Sequence, residues 1–269
     1  MVEIQDRLTS LELCPLLATR EIGRRVHYYE TVDSTNRVAF ELACAGAAHG
    51  EVVIAETQTG GKGRRLRSWS SPPKNLYCSV ILRSKISPAH ASELTLVAAV
   101  ALAQTMREAG GNVSIKWPND IEISGKKVAG ILAELSTDAD RMRFAILGMG
   151  ANLNATVLDY PPEVAELAIS LKTARNATVP RAQFTAALLL YLEQWLDIWS
   201  EYGFRPVREA WKVASEMLGR EVTVRSEQKE LQGIAEDIDE NGALILRMGG
   251  ISTRLFAGDI ERVRSFNSR

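Results

Sequence analysis

The sequence predicts an α+β protein, with a mixed β-sheet flanked by helices over residues 1–218 and a small SH3-like β-barrel over 219–269. Two observations carry this. Up to Leu218, β-branched runs alternate with stretches of helical apolar spacing, Ser92 to Arg107 and Arg181 to Ser200 among them. At Gly219 the texture changes to short β runs separated by turns, including Asn241-Gly242, a dipeptide that signals a hairpin when it lies between strands. A length of 269 residues suits one large domain or one domain plus a small one. A unit of about fifty residues is only marginally stable alone, so the barrel is expected to dock on the larger part.

Composition excludes several classes. Hydrophobic content of 46% and charged content of 24% are ordinary for a soluble globular chain, and a net charge of −1 argues against nucleic-acid binding. No apolar run approaches membrane-spanning length, and Met1 to Asp6 lacks the basic-then-apolar pattern of a signal peptide, so a cytoplasmic protein is expected. Cys14, Cys44 and Cys78 are odd in number, widely spaced and set among apolar residues, which suits reduced core thiols. His27, His49 and His90 show no metal-ligand spacing.

The most informative stretch runs from Glu56 to Trp69. It follows the β-branched run Glu51 to Ala55 and precedes a second predicted strand, Asn75 to Leu82, so its two ends are held. Gly60, Gly61 and Gly63 remove Cβ bulk and let backbone N–H groups approach an oxyanion, while Lys62, Arg64, Arg65 and Arg67 concentrate positive charge. A Gly/Arg-rich run by itself is more often a solvated loop tip. Trp69, just past the cations, favours a loop that covers a ligand or packs when it closes. No GxxxxGK[ST] pattern fits around Lys62 or Lys127, which excludes a P-loop.

Four further segments carry polar residues in patterned positions. Asp33 or Ser34 is a natural N-cap for the helix that follows Thr35-Asn36, and capping alone would explain that polar run. In Lys116-Trp117-Pro118-Asn119-Asp120, the proline biases Trp117 toward an extended conformation and makes a rigid polar corner. After the turn Ser124-Gly125, alternation in Lys126 to Glu134 buries Val128 and sends Lys127 to the opposite face, with Gly130 permitting close approach. The bland reading of Lys127 is a surface lysine on an edge strand. Beyond the turn Thr137 to Arg141, the strand Arg143 to Leu147 leads into Gly148-Met149-Gly150. A dinucleotide reading of that pair fails, because the third glycine is absent and Asn152-Leu153-Asn154 does not open a helix.

Together these segments resemble the biotin–protein ligases. The loop Gly61-Lys62-Gly63-Arg64-Arg65-Leu66-Arg67-Ser68-Trp69 is similar to their GRGRxGR-x-W pattern, departing at Lys62, usually Arg, and Leu66, usually Gly. Lys-Trp-Pro-Asn-Asp and Lys126-Lys127-Val128-Ala129-Gly130-Ile131-Leu132 resemble two further fingerprints, and Ala168 to Leu171 a segment near the ligand. The resemblance covers nearly the whole chain. It implies a catalytic domain like that of class II aminoacyl-tRNA synthetases and biotin ligases, and a short form without the N-terminal winged helix that some relatives use to bind DNA.

The implied reaction has two steps. The biotin carboxylate attacks the α-phosphate of ATP to give biotinyl-5'-AMP and pyrophosphate, and the adenylate then acylates a lysine of a biotin carboxyl carrier domain, as in acetyl-CoA carboxylase, with release of AMP. By the same resemblance, Ser34, Thr35, Asn36, Gln58, Gly61, Lys62, Arg64, Trp69, Lys127 and Gly130 would contact biotin. Arg64, Arg65, Arg67, Trp69, Asn119, Asp120, Lys127 and Asn152 would contact ATP. Lys127, Arg64 and Arg67 would carry the chemistry by neutralising charge where carboxylate and phosphate meet, and Asp120 would face a Mg2+ ion bridging the phosphates. Free strand edges leave room for a homodimer. A lipoate–protein ligase and a non-catalytic biotin-binding regulator are the two rival readings.

Overall fold

The computed structural model describes residues 8–83, 90–138, 141–225 and 229–263. The short helix α1 (Ser10–Leu13) and a 3-10 turn (Cys14–Leu16) precede the first strand, β1 (Val26–Val32). Helix α2 (Thr35–Cys44) links β1 to its parallel neighbour β2 (Val52–Gln58), and β3 (Leu76–Leu82) runs antiparallel to β2. Helix α3 (Ala91–Glu108) then leads to β4 (Ser114–Lys116), β5 (Asp120–Ile123), β6 (Lys126–Asp138) and β7 (Arg141–Ala151). These strands form one mixed sheet of seven in the order β1-β2-β3-β7-β6-β5-β4.

The two faces of this sheet are covered unequally. Ala39 and Ala43 of α2 pack on Val53, Ile81, Phe144 and Ile146 in a small cluster, which leaves the rest of that face open. The opposite face carries the main core. There α3, with its run of buried Ala, Leu and Val, packs on α6 (Arg181–Tyr202) and α7 (Phe204–Ala214). Two short helices, α4 (Pro162–Ala165) and α5 (Leu171–Arg175), lie on the connection from β7 to α6. Among the described residues, no helix is long and apolar enough to cross a membrane.

Strands β8 (Glu221–Arg225), β9 (Glu230–Ile238), β10 (Leu244–Met248), β11 (Ile251–Leu255) and β12 (Asp259–Val263) form a separate antiparallel sheet in the order β11-β10-β9-β8-β12. It docks on the larger part of the chain, as expected. Trp117 Nε1 donates to Gly242 O at 3.0 Å, Ser92 Oγ donates to Asn241 O at 3.0 Å, and Arg208 pairs with Asp237 at 2.7 Å.

Several expectations need correction in detail. The predicted strands at Glu51 and Arg143 extend further, so Thr57, Gln58, Gly148 and Gly150 are strand residues. Strand β1 starts later than read and continues through Thr31 and Val32. Of the predicted turn at 137–141, Ala139 and Asp140 lie outside the described residues, and strand runs up to both sides of them. Cys78 is a core thiol, and burial pushes it up to about 12, but Cys14 and Cys44 are exposed. Apolar sequence neighbours do not bury a cysteine when the element bearing it is a short or peripheral helix.

Candidate active-site cleft

The open part of the α2 face holds a solvent-accessible cleft, a concave site of the kind in which small ligands bind. One end is uncharged. Ser34 occupies the N-cap position of α2, yet its side chain makes no capping bond; the Asp33 carboxylate instead accepts from the Ser34 N–H at 2.6 Å. The capping explanation of this run therefore fails for Ser34, and its hydroxyl lines the cleft. Thr35 donates to Gln58 Oε1 from its backbone N–H at 2.8 Å and from Oγ1 at 3.2 Å, while Gln58 Nε2 donates to Ser71 Oγ at 2.9 Å. Asn36 Nδ2 donates to Glu134 Oε2 at 2.6 Å and to Leu132 O at 3.3 Å, and Ser79 Oγ stands 2.7 Å from Asn36 Oδ1.

Glycines make the floor. Strand β7 presents Gly148 and Gly150 on one face, two residues apart. A Cβ at Gly148 would collide with Asn36 Oδ1, and one at Gly150 would sit 2.8 Å from the Trp69 indole. The Gly-x-Gly pair is thus a flat bed for two side chains.

The cationic stretch closes over the other end. Trp69 N–H donates to Gly61 O at 2.9 Å and Gly63 N–H to Arg67 O at 2.7 Å, with a bridge between Lys62 and Ser68. Gly61 is needed at this base, because a Cβ there would lie 2.8 Å from Ser71 Oγ. At the tip, Arg65 and Leu66 adopt left-handed φ of 53° and 59°, and Leu66 is 94% exposed. The Trp69 ring lies over Gly130 and Gly150, with Lys127 Nζ 5.2 Å from its centroid.

Lys127 and the three arginines of the loop each face a carboxylate. Lys127 Nζ is 2.6 Å from Asp120 Oδ1. Arg64, Arg65 and Arg67 converge on Asp259 of β12, at 3.3, 3.5 and 2.7 Å. Arg64 also donates to Asn119 Oδ1 and to Gly258 O, both at 3.2 Å, and Asn119 Nδ2 donates to Ile131 O at 2.9 Å. Burial pulls the Arg64 guanidinium below its usual range, and the Asp259 charge opposes that pull.

Among the residues predicted from sequence, Ser34, Thr35, Asn36, Gln58, Lys62, Arg64, Arg67, Trp69, Asn119, Asp120, Lys127 and Gly130 all line this one cleft. Gly61 supports the loop from behind, and Arg65 turns toward Asp259 and Arg225 O. Asn152 is buried beside it, donating to Lys127 O at 3.4 Å with Oδ1 unpaired among the described residues. Ala168 runs alongside Lys127 in a parallel bridge. Sequence reading missed Ser79, Glu134, Asp259 and the floor glycines. Ser79 is the polar interruption of an otherwise apolar strand, and the spacing of Gly148 and Gly150 puts both on one face. Asp259 has no comparable local signal.

Two family profiles match the chain, the biotin/lipoate A/B protein ligase family over residues 28–152 and the biotin protein ligase C-terminal domain over 217–261. The chain is 35% identical to the bifunctional ligase/repressor BirA of Bacillus subtilis, over 97% of this chain and 81% of that protein. It is 36% identical to the biotin–[acetyl-CoA-carboxylase] ligase of Paracoccus denitrificans, over 80% and 91%. The chain belongs to the biotin protein ligase family. Among solved structures, the biotin protein ligase of Aquifex aeolicus in complex with biotin and ATP superposes with a TM-score of 0.77 at 25% identity, covering 90% of this chain and 99% of that one. The cleft described above is thus the candidate active site of a biotin protein ligase, with both the catalytic sheet and the C-terminal sheet contributing to it.

Proposed function

We propose that this cleft activates biotin with ATP and passes the biotinyl group to a lysine of a carboxyl carrier domain, with the uncharged end holding the ureido ring and the cationic end holding the carboxylate and phosphates. The observation that supports it most is that Arg64 and Lys127, on separate elements, open onto one cleft whose far end is neutral and hydrogen-bonding. The biotin carboxylate and the α-phosphate are both anions, so their approach needs fixed positive charge. Lys127 and Arg64 supply it, and each charge-assisted hydrogen bond contributes about 1.5–3 kcal/mol.

In the free protein these cations are matched by Asp120 and Asp259. Phosphate oxygens arriving beside them would take over part of that pairing. The Trp69 ring over Gly130 and Gly150 then walls the mixed anhydride from water, and Asn152 stands ready for the adenine with an unfilled acceptor. The acceptor amine displaces AMP by attack on the acyl carbon, and no enzyme nucleophile is required.

Asp120, paired with Lys127 in the free protein, is the carboxylate we assign to a magnesium ion, which would supply charge neutralisation on the phosphates. Its place on the cleft wall fits that role. Such an ion would be held chiefly by phosphate oxygens and water. Among the described residues no strand pairs β6 beyond Gly130 on its β5 side, and that edge supports a homodimer.

Incubating the protein with ATP, biotin and a carrier domain should add one biotinyl mass to the carrier and support biotin-dependent ATP–pyrophosphate exchange. Exchange without any transfer would restrict the chain to adenylate formation, and lipoate out-competing biotin would assign the ring end to a different acid.

A further inference from the structure

We propose that Glu134 is a positioning residue that fixes which end of the Asn36 amide faces the cleft, and that it thereby makes the ring end selective for ligands bearing N–H donors. The inference rests on the reading of this cleft as the biotin site and assigns a role to a residue outside the motifs.

The argument is a count of hydrogens. An ionised carboxylate only accepts, so the Asn36 nitrogen must face Glu134, and its two hydrogens go to Glu134 Oε2 and Leu132 O. Asn36 Oδ1 therefore faces Ser79, whose Oγ lies 2.7 Å from it and 2.8 Å from Thr35 Oγ1. Thr35 gives its own hydroxyl hydrogen to Gln58 Oε1. A serine has one hydrogen for these two acceptors. One oxygen of the pair is left short of a donor, and both residues line the cleft.

A ureido ring brings two N–H groups and completes the count, whereas a dithiolane ring brings none. Without the carboxylate at 134, the amide is free to turn over. Its nitrogen would then donate to Ser79, Ser79 would donate to Thr35, and the network would close on itself with no vacancy for a ligand N–H. Glu134 thus acts through Asn36 and not by contact with the ring. The Asn36 side chain has little room to escape, since it fills the space above Gly148.

The test is steady-state biotinylation of a carrier domain by the wild type and by E134L, E134Q, N36D and the N36D/E134Q double variant. Wild-type turnover with biotin tests the site itself, so its failure is distinguishable from failure of this inference. E134L should raise the biotin KM by about tenfold or more while the ATP KM moves by less than about twofold. E134Q, whose side-chain carbonyl still accepts from Asn36, should lie between E134L and wild type. N36D sets two carboxylates face to face and should lose more; adding E134Q lets the new amide donate to the new carboxylate and should recover at least about tenfold of biotin KM. An unchanged biotin KM in E134L, an equal rise in the ATP KM, or no recovery in the double variant would overturn the proposal. Should E134L not fold, N36D against the double variant decides alone.

Discussion

The two ends of the cleft present different chemistry and are built differently. Ser34, Thr35 and Asn36 come from the N-cap and first turn of a helix packed on its own sheet and are almost fully buried, and Thr35 and Asn36 bond to Gln58, Ser79 and Glu134 of neighbouring strands. Arg64, Arg65 and Arg67 come from a loop, are partly exposed, and take their counter-charge from the other sheet. A neutral ring can be met by short groups that hold one another in place before it arrives. Partly buried cations are costly to leave unpaired, so the ionic end keeps carboxylates that an incoming anion would replace. One end is rigid by construction, and the other is held by exchangeable partners.

The rigid end should fail through its supports. Arg181 is buried and pairs with Glu56 at 2.8 Å, two residues before Gln58 in β2. Arg181→Ala leaves that carboxylate without its partner and should cost about 3–5 kcal/mol in denaturant unfolding; a loss below about 1 kcal/mol would mean the ring end does not lean on this pair.

At the ionic end the largest effect should come from Lys127. Lys127→Ala should lower biotin-dependent ATP–pyrophosphate exchange by about 10²–10³-fold with folding retained, the scale for removing one preorganised electrostatic group. Unchanged exchange would remove Lys127 from the mechanism. Asp259→Asn should spare catalysis more than it spares order in the free loop. Tryptic cleavage between Arg64 and Arg67 should quicken about tenfold without ligands and slow again with biotin and ATP present. Cleavage at the wild-type rate would show that the loop is held by something other than this carboxylate.

The smallest effect belongs to the loop tip. Leu66 sits at φ 59°, where L side chains cost about 1–2 kcal/mol. Leu66→Gly should raise stability by about 1 kcal/mol, read as an upward shift in Tm. A drop would show that the exposed leucine is stabilised by contacts that outweigh the strain.

Much of this was legible in the chain because the motifs are contiguous. The glycine and arginine loop, Lys116 to Asp120, and Lys127 with Gly130 each announce themselves within a dozen residues, and the cleft gathers them. The fold was legible for a related reason: helical and β-branched spacings are local properties, and their order forces a sheet with helices beside it. What was hidden depends on register and on docking. Glu134 and Ser79 matter because β6 and β3 flank β7, so that both reach the Asn36 side chain. Asp259 lies 195 positions from Arg64 and meets it only when the second sheet has docked. The polar run at Ser34 shows the converse, since its spacing suits a cap while the Asp33 carboxylate satisfies the Ser34 N–H.

The position of Trp69 has a practical consequence. Its indole nitrogen is buried with no hydrogen-bond partner among the described residues, and its ring lies against two glycines and beside an ammonium group. Trp117 and Trp211, by contrast, are sealed in the core. A ligand bound as proposed would displace water and recharge the surroundings of this indole, so a change in its emission would make the protein its own optical gauge of occupancy, with no label to be attached.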